Sequence, residues 1–236
     1  MTSQSPAAQA RLPGLLLALT FSTGIVDAVS FLGLDQVFTG NVTGNVLLLG
    51  MAAAGSPGLS PLRPAVSLVA FAAGATLAGR VLRVAPAAWT HRTTVLFALV
   101  GAMLLLCSGV WLGWGERQGV LSAVVTAALG LAMGAQAATA RRLAVADLNT
   151  VVVTVAFTGL AAESPLGERT HRRWRRRAGS VVLLGAGAVT GALLLRIHPG
   201  LGLLLSATVV LAVAAAGTTL VPPAPEGPAP HRQNPP

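Results

Sequence analysis

"DQVFTGNVTGNVLLLG", residues 35–50, decides how this chain is built. Its second half is as apolar as a membrane span. Its first half sets Thr39, Asn41, Thr43 and Asn45 around Gly40 and Gly44. A transmembrane helix needs about 20 mostly apolar residues to cross a ~30 Å hydrocarbon core. Whether this stretch crosses or turns back sets the orientation of everything after it.

The surroundings are those of a bilayer. Hydrophobic residues make up 53% of the chain and charged residues 10%, with a mean hydropathy of +0.72. Soluble domains carry about 25% charged residues, so an all-α integral membrane protein is expected. The sixteen basic residues are all Arg, in a vocabulary rich in Ala and Gly. That composition points to a GC-rich bacterial genome, and so to the bacterial inner (plasma) membrane. The net charge of +9 lies between apolar runs, where it reads as membrane topology and not as a nucleic-acid surface.

Cys107 is the only cysteine and lies in an apolar run, which excludes an intrachain disulfide or a cysteine-based metal site. His91, His171, His198 and His231 form no ligand pair at helical spacing. No metal and no cofactor is expected. Arg11 followed by residues 12–19 has the shape of a signal peptide, but the apolar stretch runs on to Leu34, long enough to span.

Six segments qualify as spans: 12–34, 65–84, 93–114, 120–140, 178–195 and 201–221. Two runs are shorter or more polar, 37–54 and 148–162. The tails 1–10 and 222–236 are Pro-, Ser- and Gln-rich and read as disordered. Residues 55–64 form a turn-rich loop.

Arg placement tests the two short runs, because cytoplasmic loops are enriched in basic residues. If both cross, ten Arg lie inside and six outside. If neither crosses, only Arg63, Arg117 and Arg196 lie outside, and thirteen lie inside. The second count gives six crossings, both termini cytoplasmic, and two re-entrant segments.

An internal similarity agrees. Laying residues 32–49 over 143–160 pairs Leu32 with Leu143, Thr39 with Thr150, Thr43 with Thr154 and Leu49 with Leu160. Upstream, across a small gap, "TGIVDA" (23–28) resembles "MGAQAA" (133–138) and pairs Asp27 with Gln136. Each half reads as a long helix, a short polar segment and two long helices. Three crossings per half make the halves opposite in orientation, an inverted 3+3 repeat with residues 12–114 as the first unit and 115–221 as the second. Inverted repeats interrupted at matching positions are a transporter signature.

"STGIVDAVSFLGLDQVFTGNVTGNVLLLG" (22–50) and "GAQAATARRLAVADLNTVVVTVAFTGLAAE" (134–163) resemble the two signatures of the YoaK-like family of bacterial multi-pass membrane proteins, a domain of unknown function. Asp27, Gly33, Thr43, Gly44 and Asn45 match the first signature. The second is looser, with Ala137 where Asn is expected after Gln136. The resemblance implies six membrane spans and supplies no activity.

Irregular backbone at membrane depth must be buried in protein or line a wet cavity. A re-entrant tip near residues 39–45 is therefore expected, with residues 46–54 returning as a half-helix capped by Thr43 or Asn45. Its N-terminus would suit an anion or a substrate carboxylate. Asp27 is the one acid well inside a long span, where a charge costs roughly 2.5–3.5 kcal/mol. It reads as a proton-coupling site or a Na⁺ ligand, against the plainer role of capping the re-entrant backbone. The candidate solute or ion pathway is thus Asp27, Thr39, Asn41, Thr43, Asn45, Gln136, Asn149, Thr150 and Thr154. The plainer reading of the Asn and Thr is packing, since Gly40-x-x-x-Gly44 is also a helix-contact motif.

Asp147 is expected to pair with Arg141 or Arg142. Arg172, Arg173, Arg175, Arg176 and Arg177 around Trp174 read as contacts to anionic lipid headgroups. No metalloprotease, nucleophile-elbow or phosphate-loop motif occurs, so no enzyme is expected. The leading expectation is a small secondary transporter or permease for a small polar or anionic solute, with proton coupling at Asp27 and a homo-oligomer as one arrangement. The alternatives are a non-transporting membrane protein that binds a partner complex or lipid, and an intramembrane enzyme.

Overall fold

The computed structural model describes residues 6–34, 36–113, 119–143, 157–158 and 174–221. The described residues form seven principal helices: α1 (Pro6–Gly33), α2 (Val42–Ala53), α3 (Leu62–Leu82), α4 (His91–Gly113), α5 (Val120–Arg142), α6 (Trp174–Ile197) and α7 (Pro199–Leu220). Six of them are long and apolar enough to cross a membrane. These six correspond to the six expected spans, shifted by a few residues at their ends. α1 begins at Pro6, so residues 6–10, expected in a disordered tail, are helical. The expected segment 148–162 lies outside the described residues except for 157 and 158.

The long helices are apolar on every side, as lipid-facing helices are. Val69, Leu106 and Val182 are exposed large apolar side chains in mid-helix. Inward, a continuous core runs through Leu16, Ile25, Phe97, Leu104, Leu129 and Leu203. Hydroxyls inside the helices are satisfied locally: Thr20 and Thr23 donate to the carbonyls of Leu16 and Leu19 at 3.0 and 2.9 Å. Others tie helices together. The Ser22 and Ser206 hydroxyls meet at 2.7 Å between α1 and α7, and Ser108 of α4 donates to the Gly200 carbonyl of α7 at 2.8 Å.

Three closely packed pairs build the bundle: α1 with α6, α3 with α5, and α4 with α7. The first two are glycine crossings of one kind. A Cβ on Gly24 would collide with the Leu184 carbonyl, and one on Gly187 with the Phe21 carbonyl. In the other pair, Gly134 faces the Phe71 carbonyl and Gly74 the Leu131 carbonyl. Backbones this close leave room for hydrogen only, as small-residue packing in membranes requires.

The contact registers also give helix directions. Gly24 lies level with Gly187 and Gly74 with Gly134, each pointing one turn back along its partner. α1 and α6 therefore run parallel, and so do α3 and α5. Partners of α7 descend as α1 ascends: Ser22 meets Ser206, and Val29 lies beside Gly202. α4 opposes α7 in the same way, with Ser108 at Gly200 and Trp89 at Gly217. The C-terminal Arg142 of α5 bonds the Ala85 carbonyl just before α4, at 2.6 Å. α5, and with it α3, thus opposes α4 and α1. Arg142 has a backbone partner here, while Asp147, its expected partner, lies outside the described residues.

Because α1 and α3 run in opposite directions, the end of α1 and the start of α3 lie at one end of the bundle. Residues 36–61 belong to the connection between them. α2, with 12 residues, is roughly 18 Å long at 1.5 Å per residue, too short for a ~30 Å core.

Candidate functional site

The site is built where the chain leaves α1 and turns into α2. Gln36 takes a left-handed backbone, φ 55°, which reverses the chain. Residues 37–41 then run back against α1 without helical hydrogen bonds of their own. Their amides need acceptors. Asp27 supplies one: its Oδ1 accepts from the Thr39 amide at 3.0 Å and the Gly40 amide at 2.7 Å. Gly40 is needed there, since a Cβ would press against Thr23 Cγ2 at 2.8 Å and the Asp27 carboxylate at 3.3 Å.

Asn41 begins α2. Its side chain accepts from the Gly44 amide at 3.1 Å, so the N-cap is Asn41 and not Thr43 or Asn45, and the helix starts at Val42 instead of Val46. That start turns Asn45 toward α3. Asn45 Oδ1 accepts from the Phe38 amide at 2.9 Å, and its Nδ2 donates to the Phe38 carbonyl and, at 3.1 Å, to Ser67 Oγ. Ser67 Oγ in turn donates to the Phe38 carbonyl at 2.7 Å. The Phe38 backbone is thereby pinned to both α2 and α3. Its ring stacks on Phe31 of α1, centroids 4.7 Å apart, and would meet any side chain at 44.

Between α1, the α2 N-terminus and α6 lies a cleft of about 710 Å³. Its polar lining includes Asp27, Thr23, Asn41 and Thr43, and its apolar lining includes Phe31 and Leu184. Asp27 is the only acidic residue among the described residues. It is half-buried, reached from the cleft.

Of the expected pathway residues, Asp27, Asn41 and Thr43 line the cleft. Thr39 lies behind it: its amide holds Asp27, while its hydroxyl oxygen is buried without a hydrogen-bond partner. Gln136 of α5 is also behind it, donating from Nε2 to Thr23 Oγ1 at 3.1 Å with its Oε1 buried and unpartnered. Asn45 faces α3 and bonds protein alone. Asn149, Thr150 and Thr154 lie outside the described residues. The sequence reading missed Thr23 and Ser67. Both sit in apolar runs, and only the contact of distant helices gives them partners. No group of His, Cys, Asp and Glu able to hold a metal occurs among the described residues.

An all-helical set of membrane-length helices around one half-buried acid defines a multi-pass membrane protein. The sequence profile described as Protein of unknown function (DUF1275) matches residues 15–217, and the chain belongs to that family. It is similar to the UPF0700 transmembrane protein YoaK of Bacillus subtilis (strain 168), 27% identical over 190 residues, covering 76% of this chain and 82% of the relative. No solved structure matches.

Proposed function

We propose that this protein is a small secondary transporter of the bacterial cell membrane, with the Asp27 cleft as its solute site. The observation that carries the reading is the cleft itself. Its volume falls in the range of small-ligand sites, and its one acid sits where a broken segment meets a long helix. Non-helical backbone beside an intramembrane acid is a recurring feature of such sites.

The two halves form an inverted 3+3 repeat. Exchanging the halves maps the α1–α6 crossing onto the α3–α5 crossing and leaves α4–α7 on itself. Gly24 then corresponds to Gly134, Gly187 to Gly74, and Ser180 to Ser67, all three buried against neighbouring helices. In this register Asp27 corresponds to Ala137, not to Gln136, so the acid belongs to one half only. α2 is re-entrant, dipping in from the outer face, and the termini are cytoplasmic. The Arg distribution supports that orientation: Arg80, Arg83, Arg92, Arg141 and Arg142 lie at the end opposite Arg63 and Arg196. Arg176 and Arg177 lie at the more basic end, where anionic headgroups would meet them. No catalytic role is proposed.

The geometry favours a polar solute over an anionic one. The amides at the broken segment already serve Asp27, so they are not free to bind an anion. Flux into proteoliposomes tests the reading. Asp27→Asn is expected to lower coupled flux at least tenfold, and Asn41→Ala to lower it severalfold. Wild-type flux in both variants would remove the site assignment, and no flux of any polar solute would remove the transporter.

A further inference from the structure

The cleft's lining has a sign. Among the described residues, Asp27 is its only ionisable side chain, and no Arg, Lys or His of α1, α2 or α6 lines it. Gln136, reaching Thr23 from α5, is neutral. A carboxylate in an apolar setting is stable only when its charge is balanced. Amides of Thr39 and Gly40 solvate it but carry no net charge. A proton or a bound cation can supply the balance.

The rest of the lining selects between cations. A bare metal ion needs several oxygen ligands close together, and a cleft of about 710 Å³ is far larger than such a cage. Its walls are largely apolar, with Leu47 of α2 and Ala188 and Ala192 of α6 facing the stacked Phe31 and Phe38. Aromatic faces attract cations, and apolar walls bind the hydrocarbon that carries them. Oxygens of Thr23, Asn41 and Thr43 lie on the same lining and can accept N–H donors.

We propose that the Asp27 cleft binds small monovalent organic cations with an apolar portion, in exchange for the Asp27 proton. This rests on reading the cleft as a solute site. When the ammonium group arrives, the carboxyl O–H gives its proton to solvent and the carboxylate pairs with the cation. Departure reverses the step. One proton moves for each cation, so the net charge of the site stays at zero throughout.

Calorimetry on the purified full-length chain in nanodiscs tests this, using benzyltrimethylammonium and benzylammonium as probes. Isosteric benzyl alcohol and benzoate serve as the neutral and anionic controls. The cations are expected to bind, with close to one proton released, read by repeating the titration in buffers of different ionisation enthalpy. Asp27→Asn is expected to weaken cation binding at least tenfold and abolish proton release. Ala192→Phe fills the cleft without touching the bonds of Asp27, and is expected to weaken binding similarly even if Asp27→Asn folds poorly. Equal binding of benzoate or benzyl alcohol, or cation binding unchanged by Ala192→Phe, overturns the proposal. Cation binding without flux leaves this assignment standing and removes the transporter; flux of a neutral solute without cation binding does the reverse.

Discussion

At the scale of single residues, the site shows polar side chains doing different work at neighbouring positions. Asn41 and Asn45 lie one helical turn apart, yet Asn41 faces the cleft and Asn45 faces α3. The cap decides this: Asn41 precedes the helix with a non-helical backbone, φ −92° and ψ 84°, whereas Asn45 lies within the helix. Asn45→Ala would leave the Phe38 amide without its acceptor and remove one of the two donors to the Phe38 carbonyl. Each orphaned buried group costs about 1–3 kcal/mol. The variant is expected to melt well below wild type in detergent, whereas Thr43→Ala, which breaks no described bond, should melt like wild type. Equal melting of Asn45→Ala and wild type would show that Asn45 does not pin the broken segment. The spacing of Asn and Thr in 35–50 disclosed that this stretch was special. It could not tell which Asn binds protein and which lines a cleft, because Ser67 comes 22 residues after Asn45.

At the scale of elements, the glycine crossings hold the bundle. Gly24, Gly74, Gly134 and Gly187 each lie where a Cβ would strike a neighbouring backbone carbonyl. A backbone cannot give way as a flexible side chain can. Gly74→Ala or Gly134→Ala is expected to cost about 1–3 kcal/mol by overpacking. Gly79→Ala, on the same helix with open space around it, should cost nothing. Thermal unfolding of the three variants checks this, and equal midpoints would mean that the crossings are looser than described. These positions were invisible in the sequence, where 27 Gly are scattered through apolar runs and no local signal separates a contact glycine from a lipid-facing one. The short helix was half legible. Its brevity was read correctly; its start came four residues early because Asn41 caps it.

At the scale of the whole molecule, orientation can be read from two exposed positions. Ser60 precedes α3 and Val84 follows it. Cysteines placed there in a Cys107→Ala background should separate the two topologies under an impermeant maleimide. With α2 re-entrant, Ser60→Cys is labelled in intact cells and Val84→Cys only in inverted vesicles. The opposite pattern would mean that the bundle is inserted with its termini outside or that α2 crosses.

The sequence by itself determined that the chain lives in a membrane, how many long apolar segments it has, and that residues 37–54 stand apart. Hydropathy and charge asymmetry are sums over consecutive residues, so they survive without knowledge of contacts. Only the tertiary structure decided that Asp27 takes the amides of Thr39 and Gly40, that Gln136 reaches Thr23, and that α6 closes the cleft opposite α1. Those partners lie from about a dozen to more than a hundred and fifty residues apart. Their meeting depends on which glycines let two helices touch, a property of packed surfaces and not of any single stretch.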